Sequence, residues 1–133
     1  MAGEATGGSH AGRILVADDE PHIRRVLLTL LRNASFEVQE ARDGGEAIEQ
    51  LEDAPAFDFV LLDLMMPRAD GIEVLEYIRG HGVHGPTPVI ILTAKGQDSD
   101  RNAALARGAN DFLTKPFSPK KLLARIQEIL SGR

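Results

Sequence analysis

Three acids in a row, Asp18, Asp19 and Glu20, directly follow the short apolar run Arg13–Ala17 (RILVA). A fourth acid, Asp63, follows FDFVLL; Thr93 and Ala94 follow VIIL; Lys115 and Pro116 follow DFLT. Each group therefore stands at the carboxyl edge of a run with the length of a strand. Clustered carboxylates repel and raise one another's pKa values, and a divalent cation removes that conflict. Carboxylate oxygens, carbonyls and water suit Mg²⁺, which takes few protein ligands and keeps several waters. Acids of this kind beside one lysine and one threonine are the equipment of phosphoryl transfer. Metal and ammonium neutralise the equatorial oxygens while one carboxylate acts as nucleophile. Taken singly, each residue has a plainer use. The triplet suits a helix N-terminus, Asp63 suits a turn ahead of Pro67 and Gly71, and Thr93 and Lys115 suit a strand end and a surface. Only convergence on one rim makes them a site, so the elements that carry them decide the matter.

Two periods alternate along the chain. After RILVA, Pro21 is placed as a first helical residue. Ile23, Val26, Leu27, Leu30 and Leu31 then repeat at helical spacing up to Asn33. Phe36–Ala41 reads as a second strand. Gly44 and Gly45 open a helix bearing Ala47, Ile48 and Leu51. Phe57–Leu62 is a third strand, and Ile72, Leu75 and Ile78 mark a helix closed by Gly80. Val89–Leu92 is a fourth strand, Asp98–Arg107 an alanine-rich helix, and Gly108 suits a left-handed position after it. Asp111–Thr114 is a fifth strand. Ser118 reads as an N-cap with Pro119 at the first helical position, ahead of the stripe Leu122, Leu123, Ile126, Ile129 and Leu130. Five βα units with apolar, non-alternating strands imply a parallel sheet covered on both faces, a doubly wound α/β fold. In such sheets ligands bind beyond the carboxyl ends of the strands, the rim that holds the residues above.

Composition narrows the class. The chain has 133 residues, the size of one domain, with residues 1–12 read as a glycine-rich flexible tail and 13–131 as the folded domain. A net charge of −5 argues against a nucleic-acid surface. There is no cysteine, so thiol chemistry and thiolate metal sites are excluded. No apolar run has the length of a membrane span, and the first residues lack the apolar segment of a secretory signal, so a cytoplasmic location is expected. The four histidines lack partners at metal spacing and receive no ligand role.

The segments VADDEP, VLLDLMMPRADG, VIILTAKG and GANDFLTKPFSP resemble the four signature blocks of the response-regulator receiver family. The resemblance covers roughly residues 13 to 131 by the element spacing above. It implies a CheY-like (βα)5, flavodoxin-like sheet of five parallel strands in the order 2-1-3-4-5. It also implies a role for each rim residue. Asp63 would accept the phosphoryl group. Asp19 and Asp63 would bind Mg²⁺ directly with the Met65 carbonyl, and Asp18 would act mostly through water. Lys115 would pair with Asp63 at rest and hold a phosphoryl oxygen afterwards. Thr93 would donate its hydroxyl to that oxygen, with Ala94 part of the binding set. Phe112 would be the switching aromatic and move inward on activation. Lys115–Pro116 would be a cis peptide. Met65 and Lys95 would modulate dephosphorylation. The phosphodonor would be a sensor histidine kinase or a histidine phosphotransfer protein. The chain would catalyse only its own phosphorylation and dephosphorylation.

TKPFSP followed by LLARI is closest in pattern to the OmpR/PhoB-type receivers, which carry winged-helix DNA-binding domains and dimerise through the fourth helix, fifth strand and fifth helix. Asn110 and Lys121 stand where that subgroup usually has acids, leaving one interfacial ion pair without its customary partner. The chain ends soon after the fifth helix, so its output would be a downstream effector protein or an output domain absent from this sequence. Direct nucleic-acid binding by this domain and membrane association are not expected. A small-molecule phosphatase with an aspartate nucleophile would need a second acid where Met65 stands. A flavodoxin-like cofactor binder would need Ser, Thr or Gly where the first loop is acidic. An unphosphorylated receiver-like module usually loses the quintet that is intact here.

Overall fold

The computed structural model describes residues 11–53, 55–94 and 97–132. Ten elements alternate: β1 (Gly12–Ala17), α1 (Pro21–Asn33), β2 (Phe36–Ala41), α2 (Gly44–Asp53), β3 (Phe59–Leu62), α3 (Gly71–Gly80), β4 (Val89–Thr93), α4 (Asp98–Ala106), β5 (Asp111–Thr114) and α5 (Pro119–Ser131). All ladders are parallel and the strand order is β2-β1-β3-β4-β5. The sheet has the expected class and order.

Strand alternation sorts the core into two layers. Ile14, Val16, Phe59, Leu61, Ile90 and Leu92 pack with Leu27, Leu28 and Leu31 of α1 and with Leu122 and Ile126 of α5. Leu15, Ala17, Val60, Leu62, Val89 and Ile91 face the other way, against Ala47, Leu51, Val74, Leu75, Ile78 and Ala104 of α2, α3 and α4. Both faces of β3 and β4 are thus buried, which is why those strands read as unbroken apolar runs. No described helix is long and apolar enough to cross a membrane.

Four element bounds differ from the sequence reading; α4 ends at Ala106, with Arg107 as its C-cap rather than its last residue. The third strand begins at Phe59 rather than Phe57. The Phe57 ring instead packs under the Arg13 guanidinium at 4.4 Å and near His84, while the Asp58 carboxylate accepts from Arg13 N at 2.8 Å. Phe57 is apolar for packing, not for the ladder. The fourth strand runs one residue further, through Thr93, because Thr93 pairs in register with Thr114. The first starts one residue earlier, at Gly12, which lies outside the predicted domain start. The rest of the predicted 1–12 tail, apart from Ala11, lies outside the described residues. Gly108 takes a φ of +100°, the left-handed position expected after α4.

Asn110, where the related subgroup carries an acid, has a structural post. Its side-chain oxygen accepts from Val89 N at 2.9 Å and from Arg79 Nη2 at 3.1 Å. Arg79 also donates to the carbonyls of Gly85, Thr87 and Gly108. This bracket ties the end of α3 to the starts of β4 and β5, far from the carboxyl rim.

Candidate functional site

Register brings the rim residues together. Ala17 of β1 lies opposite both Ala41 of β2 and Leu62 of β3. The next residues continue the pattern: Asp18 N donates to Ala41 O at 3.1 Å and Asp63 N to Ala17 O at 2.9 Å. Asp18 and Asp63 therefore emerge side by side. Thr93 lies opposite Thr114, and Lys115 N donates back to Thr93 O at 2.8 Å. The Lys115–Pro116 peptide is cis, as expected. Together Asp19, Glu20, Asp63, Met65, Thr93, Ala94 and Lys115 line a cleft of about 240 Å³.

The acceptor loop is pinned from its far end. Asp70 caps α3 by accepting from Glu73 N at 2.9 Å, while the Glu73 carboxylate accepts in return from Asp70 N at 3.1 Å. Such a reciprocal pair satisfies two helix-terminal donors and fixes the entry angle of the chain. Gly71 N then donates to Leu64 O at 2.9 Å. A Cβ on Gly71 would lie 2.5 Å from the Asp63 carbonyl oxygen, so only glycine allows this close approach behind the acid.

Electrostatics set Asp63 apart. Its residue is 6% exposed and Asp18 1%. Burial, and next the charge of Asp18, push the Asp63 carboxyl up to about 6, against the smaller lowering by Lys115 and by the Met65 N–H at 3.4 Å. Lys115 is also buried, which opposes its charge. The hydrogen bond and charge of Asp18 outweigh that, with help from Asp63 and Glu20, and hold its pKa above the ordinary lysine value. The ammonium sits 2.8 Å from Asp18 Oδ2, 3.3 Å from Glu20 Oε1 and 3.4 Å from Asp63 Oδ2. The predicted resting pair of Lys115 and Asp63 thus exists as the longest of three contacts, and Asp18 is the principal partner. Lys115 serves Asp18 first, which leaves Asp63 poorly compensated as an anion.

The rim differs from the sequence reading in three more respects. Carboxylate oxygens of Asp18, Glu20 and Asp63 lie within 4.8 Å of one another, a group able to hold a metal ion. Asp19, expected as a direct ligand, lines the cleft but stands outside that group. Glu20 belongs to it. It occupies the N-cap position of α1 without making a side-chain cap bond, so its carboxylate can reach Lys115. The capping-type bond is made by Asp18, whose Oδ1 accepts from Glu20 N at 2.9 Å. The donor set is all oxygen, and a cation there would relieve the repulsion that raises Asp63. Phe112, expected to move inward, is already interior at 2% exposure, packed in the α2–α4 layer, with its carbonyl accepting from Arg101 Nη1 at 3.1 Å. Lys95 lies outside the described residues.

Residues 14–127 match the model of the response regulator receiver domain. The phosphate regulon transcriptional regulatory protein PhoB of Escherichia coli K12 is 41% identical over 120 residues, covering 90% of this chain and 52% of PhoB. The transcriptional regulatory protein ResD of Bacillus subtilis is 43% identical over 118 residues, covering 89% of this chain and 48% of ResD. The chain therefore spans about half the length of these relatives. Among solved structures, a putative response regulator from Chloroflexus aurantiacus superposes with a TM-score of 0.84 at 34% identity, over 90% of this chain and 98% of its own. The receiver domain of a sensor histidine kinase from Pseudomonas aeruginosa, with a magnesium ion coordinated in its active site cleft, gives 0.82 at 31% identity over the same shares. The matched span takes in Asp18, Asp63, Thr93 and Lys115 together, and with a five-stranded sheet whose carboxyl rim gathers those residues the chain belongs to the response regulator receiver family of two-component signal transduction.

Proposed function

We propose that Asp63 is the phosphoacceptor of this receiver and that the site works with Mg²⁺. The observation that carries the reading is the position of Asp63. It is a buried acid at the carboxyl end of the central strand β3, raised to about 6, with Asp18 beside it and the Lys115 ammonium at 3.4 Å. An Asp63 oxygen attacks the phosphorus of a phosphohistidine, the P–N bond breaks, and the electron pair leaves with the imidazole. Lys115 moves its ammonium from the Asp63 carboxylate to a phosphoryl oxygen, and the Thr93 hydroxyl donates to another. When bound, Mg²⁺ supplies positive charge that lets acceptor and donor anions approach. Asp18, Asp19 and Asp63 with the Met65 carbonyl would hold it, which suits the oxygen-only character of the rim. Ala94 belongs to the wall that receives the phosphoryl group, and Met65 and Lys95 modulate dephosphorylation. The donor is a sensor histidine kinase or a histidine phosphotransfer protein, met in the cytoplasm. The domain runs from Gly12, where β1 begins, to residue 131, and it catalyses only its own phosphorylation and dephosphorylation.

The test is direct. Incubation with acetyl phosphate and Mg²⁺ should add the mass of one phosphoryl group to the intact protein. EDTA or Asp63→Asn should abolish the gain. An adduct that survives Asp63→Asn unchanged would place the acceptor elsewhere.

Phosphorylation then biases a two-state equilibrium on the α4–β5–α5 face. Because Phe112 is already interior, the ring does not have to travel inward, and the moving parts are Thr93 and the short α4 with its single fully buried residue, Ala104. The output is a homodimer through that face, read by an effector protein or by an output domain. Beryllofluoride with Mg²⁺ should shift the protein to dimer size in light scattering, and Asp63→Asn should stay unshifted. A wild type that remains monomeric at high concentration would remove the homodimer from the scheme.

A further inference from the structure

The Lys115 ammonium has three N–H donors, and three carboxylates take them. Two of these belong to the phosphoacceptor centre: Asp18, buried against β1, and Asp63 itself. Glu20 is different. Its side chain is 57% exposed, it stands on the outer rim, and it bonds the ammonium from the solvent side at 3.3 Å. Nothing competes for it at the helix start, since it makes no cap bond, and its backbone is fixed by the Asp18 Oδ1 bond at 2.9 Å. A phosphoryl oxygen arriving on Asp63 needs one of the three Lys115 donors. Asp18 holds its donor at 2.8 Å from an interior position. The donor taken by Glu20 is not available to that oxygen while the contact lasts.

We propose that Glu20 is a positioning residue that tethers Lys115 toward the outer rim and restrains its transfer to the phosphoryl group. The proposal rests on Asp63 as acceptor. With acetyl phosphate as donor, an Asp63 oxygen attacks phosphorus, the P–O bond to acetate breaks, and the pair leaves as acetate. No proton moves through Lys115; its whole contribution is where its charge sits. A partner that draws this charge outward slows the step, and releasing it speeds the step. Breaking one partly exposed ammonium–carboxylate contact corresponds to about a three- to fivefold change in rate.

Two variants separate contact from charge. Glu20→Gln removes the charge; Glu20→Asp keeps it but shortens the side chain by one methylene, out of reach of the ammonium. At saturating Mg²⁺, the rate of adduct formation from acetyl phosphate should rise about three- to fivefold in both. In EDTA, the Lys115 ammonium signal in ¹H–¹⁵N spectra should move in both, a readout independent of the loaded site. A rise in Glu20→Gln alone would assign the effect to distant charge and overturn the tether. A fall in rate would make Glu20 a supporter of the metal site and overturn it equally. Unchanged rates and an unmoved ammonium signal would deny Glu20 any hold on Lys115. A wild type that forms no Asp63-dependent adduct would instead bring down the acceptor reading beneath it.

Discussion

Asp63→Asn should make the metal-free protein more stable than wild type by about 3 kcal/mol at about pH 8. The substitution removes a charge that the fold disfavours and keeps the shape, while its one amide oxygen can accept from either Met65 N or Lys115, which Asp63 serves with separate oxygens. The sign follows from the raised carboxyl. Its value is 3.8 in an unstructured chain and about 6 in the fold, so between those values the folded state binds more protons. Stability contributed by this group therefore falls as pH rises from 4 through 6, and the full cost is present above that. The gap between variant and wild type should narrow as pH falls toward 4 and close below it, where both states are protonated. Urea denaturation in EDTA across that range measures it. A variant less stable than wild type, or a gap that persists in acid, would show that Asp63 is not held as a strained anion.

That strain is what makes the rim a switch rather than a static ion cluster. The core layers and the α3 cap hold Asp18 and Asp63 side by side, so burial first and their mutual repulsion second bear on Asp63. Positive charge relieves it: a proton, or a divalent cation, which would also offset the added negative charge of an acyl phosphate on Asp63. Each ligand that relieves it is bound with the help of energy already stored in the fold. The small-molecule phosphatase alternative finds no support in this arrangement. The position two residues past the acceptor carries an exposed methionine, 59% accessible, with no proton to give.

Most of this is legible in the order of the residues alone. Unbroken apolar runs such as FVLL and VIILT state burial on both faces, and the residues just after them have to share a rim. What residue types leave hidden depends on contacts between distant parts of the chain. Glu20 reads as a helix-cap acid because its neighbour is Pro21; its partner Lys115 is 95 positions away. The order of Lys115's partners, Asp18 before Asp63, is a matter of tenths of an ångström that residue types do not encode. Phe57 extends an apolar run but packs sideways on Arg13, so the run is longer than the strand. Phe112 carries the same letters whether its ring faces in or out. Asn110 reads as a lost acid, yet its amide oxygen serves Val89 N and Arg79, a post that needs an acceptor and not a charge.

Lys115→Ala should act in the opposite direction to Asp63→Asn. In EDTA at about pH 8 it should destabilise the fold by about 3 kcal/mol, because it leaves two buried carboxylates without their cation. Lys115 is itself 7% exposed along the side chain, so water replaces it poorly. Its pKa is raised in the fold, so its contribution is fully present below the ordinary lysine value of 10.5 and is lost only as pH climbs through the folded value. Titration of Lys115 itself therefore adds no slope across about pH 6–9, and the defect should grow there as pH rises, because Asp63 without Lys115 is held higher still. Below pH 6 it should shrink, because protonation of Asp63 removes one of the two charges that Lys115 separates. Mg²⁺ supplies the missing positive charge, so it should raise the urea midpoint of Lys115→Ala more than that of wild type. Adding Asp63→Asn to Lys115→Ala should recover most of the loss, since a single acid, Asp18, then remains to be tolerated. If Lys115→Ala proved as stable as wild type without metal, the three short contacts would be spectators, and neither the strain on Asp63 nor the tether by Glu20 would have a cation to act through.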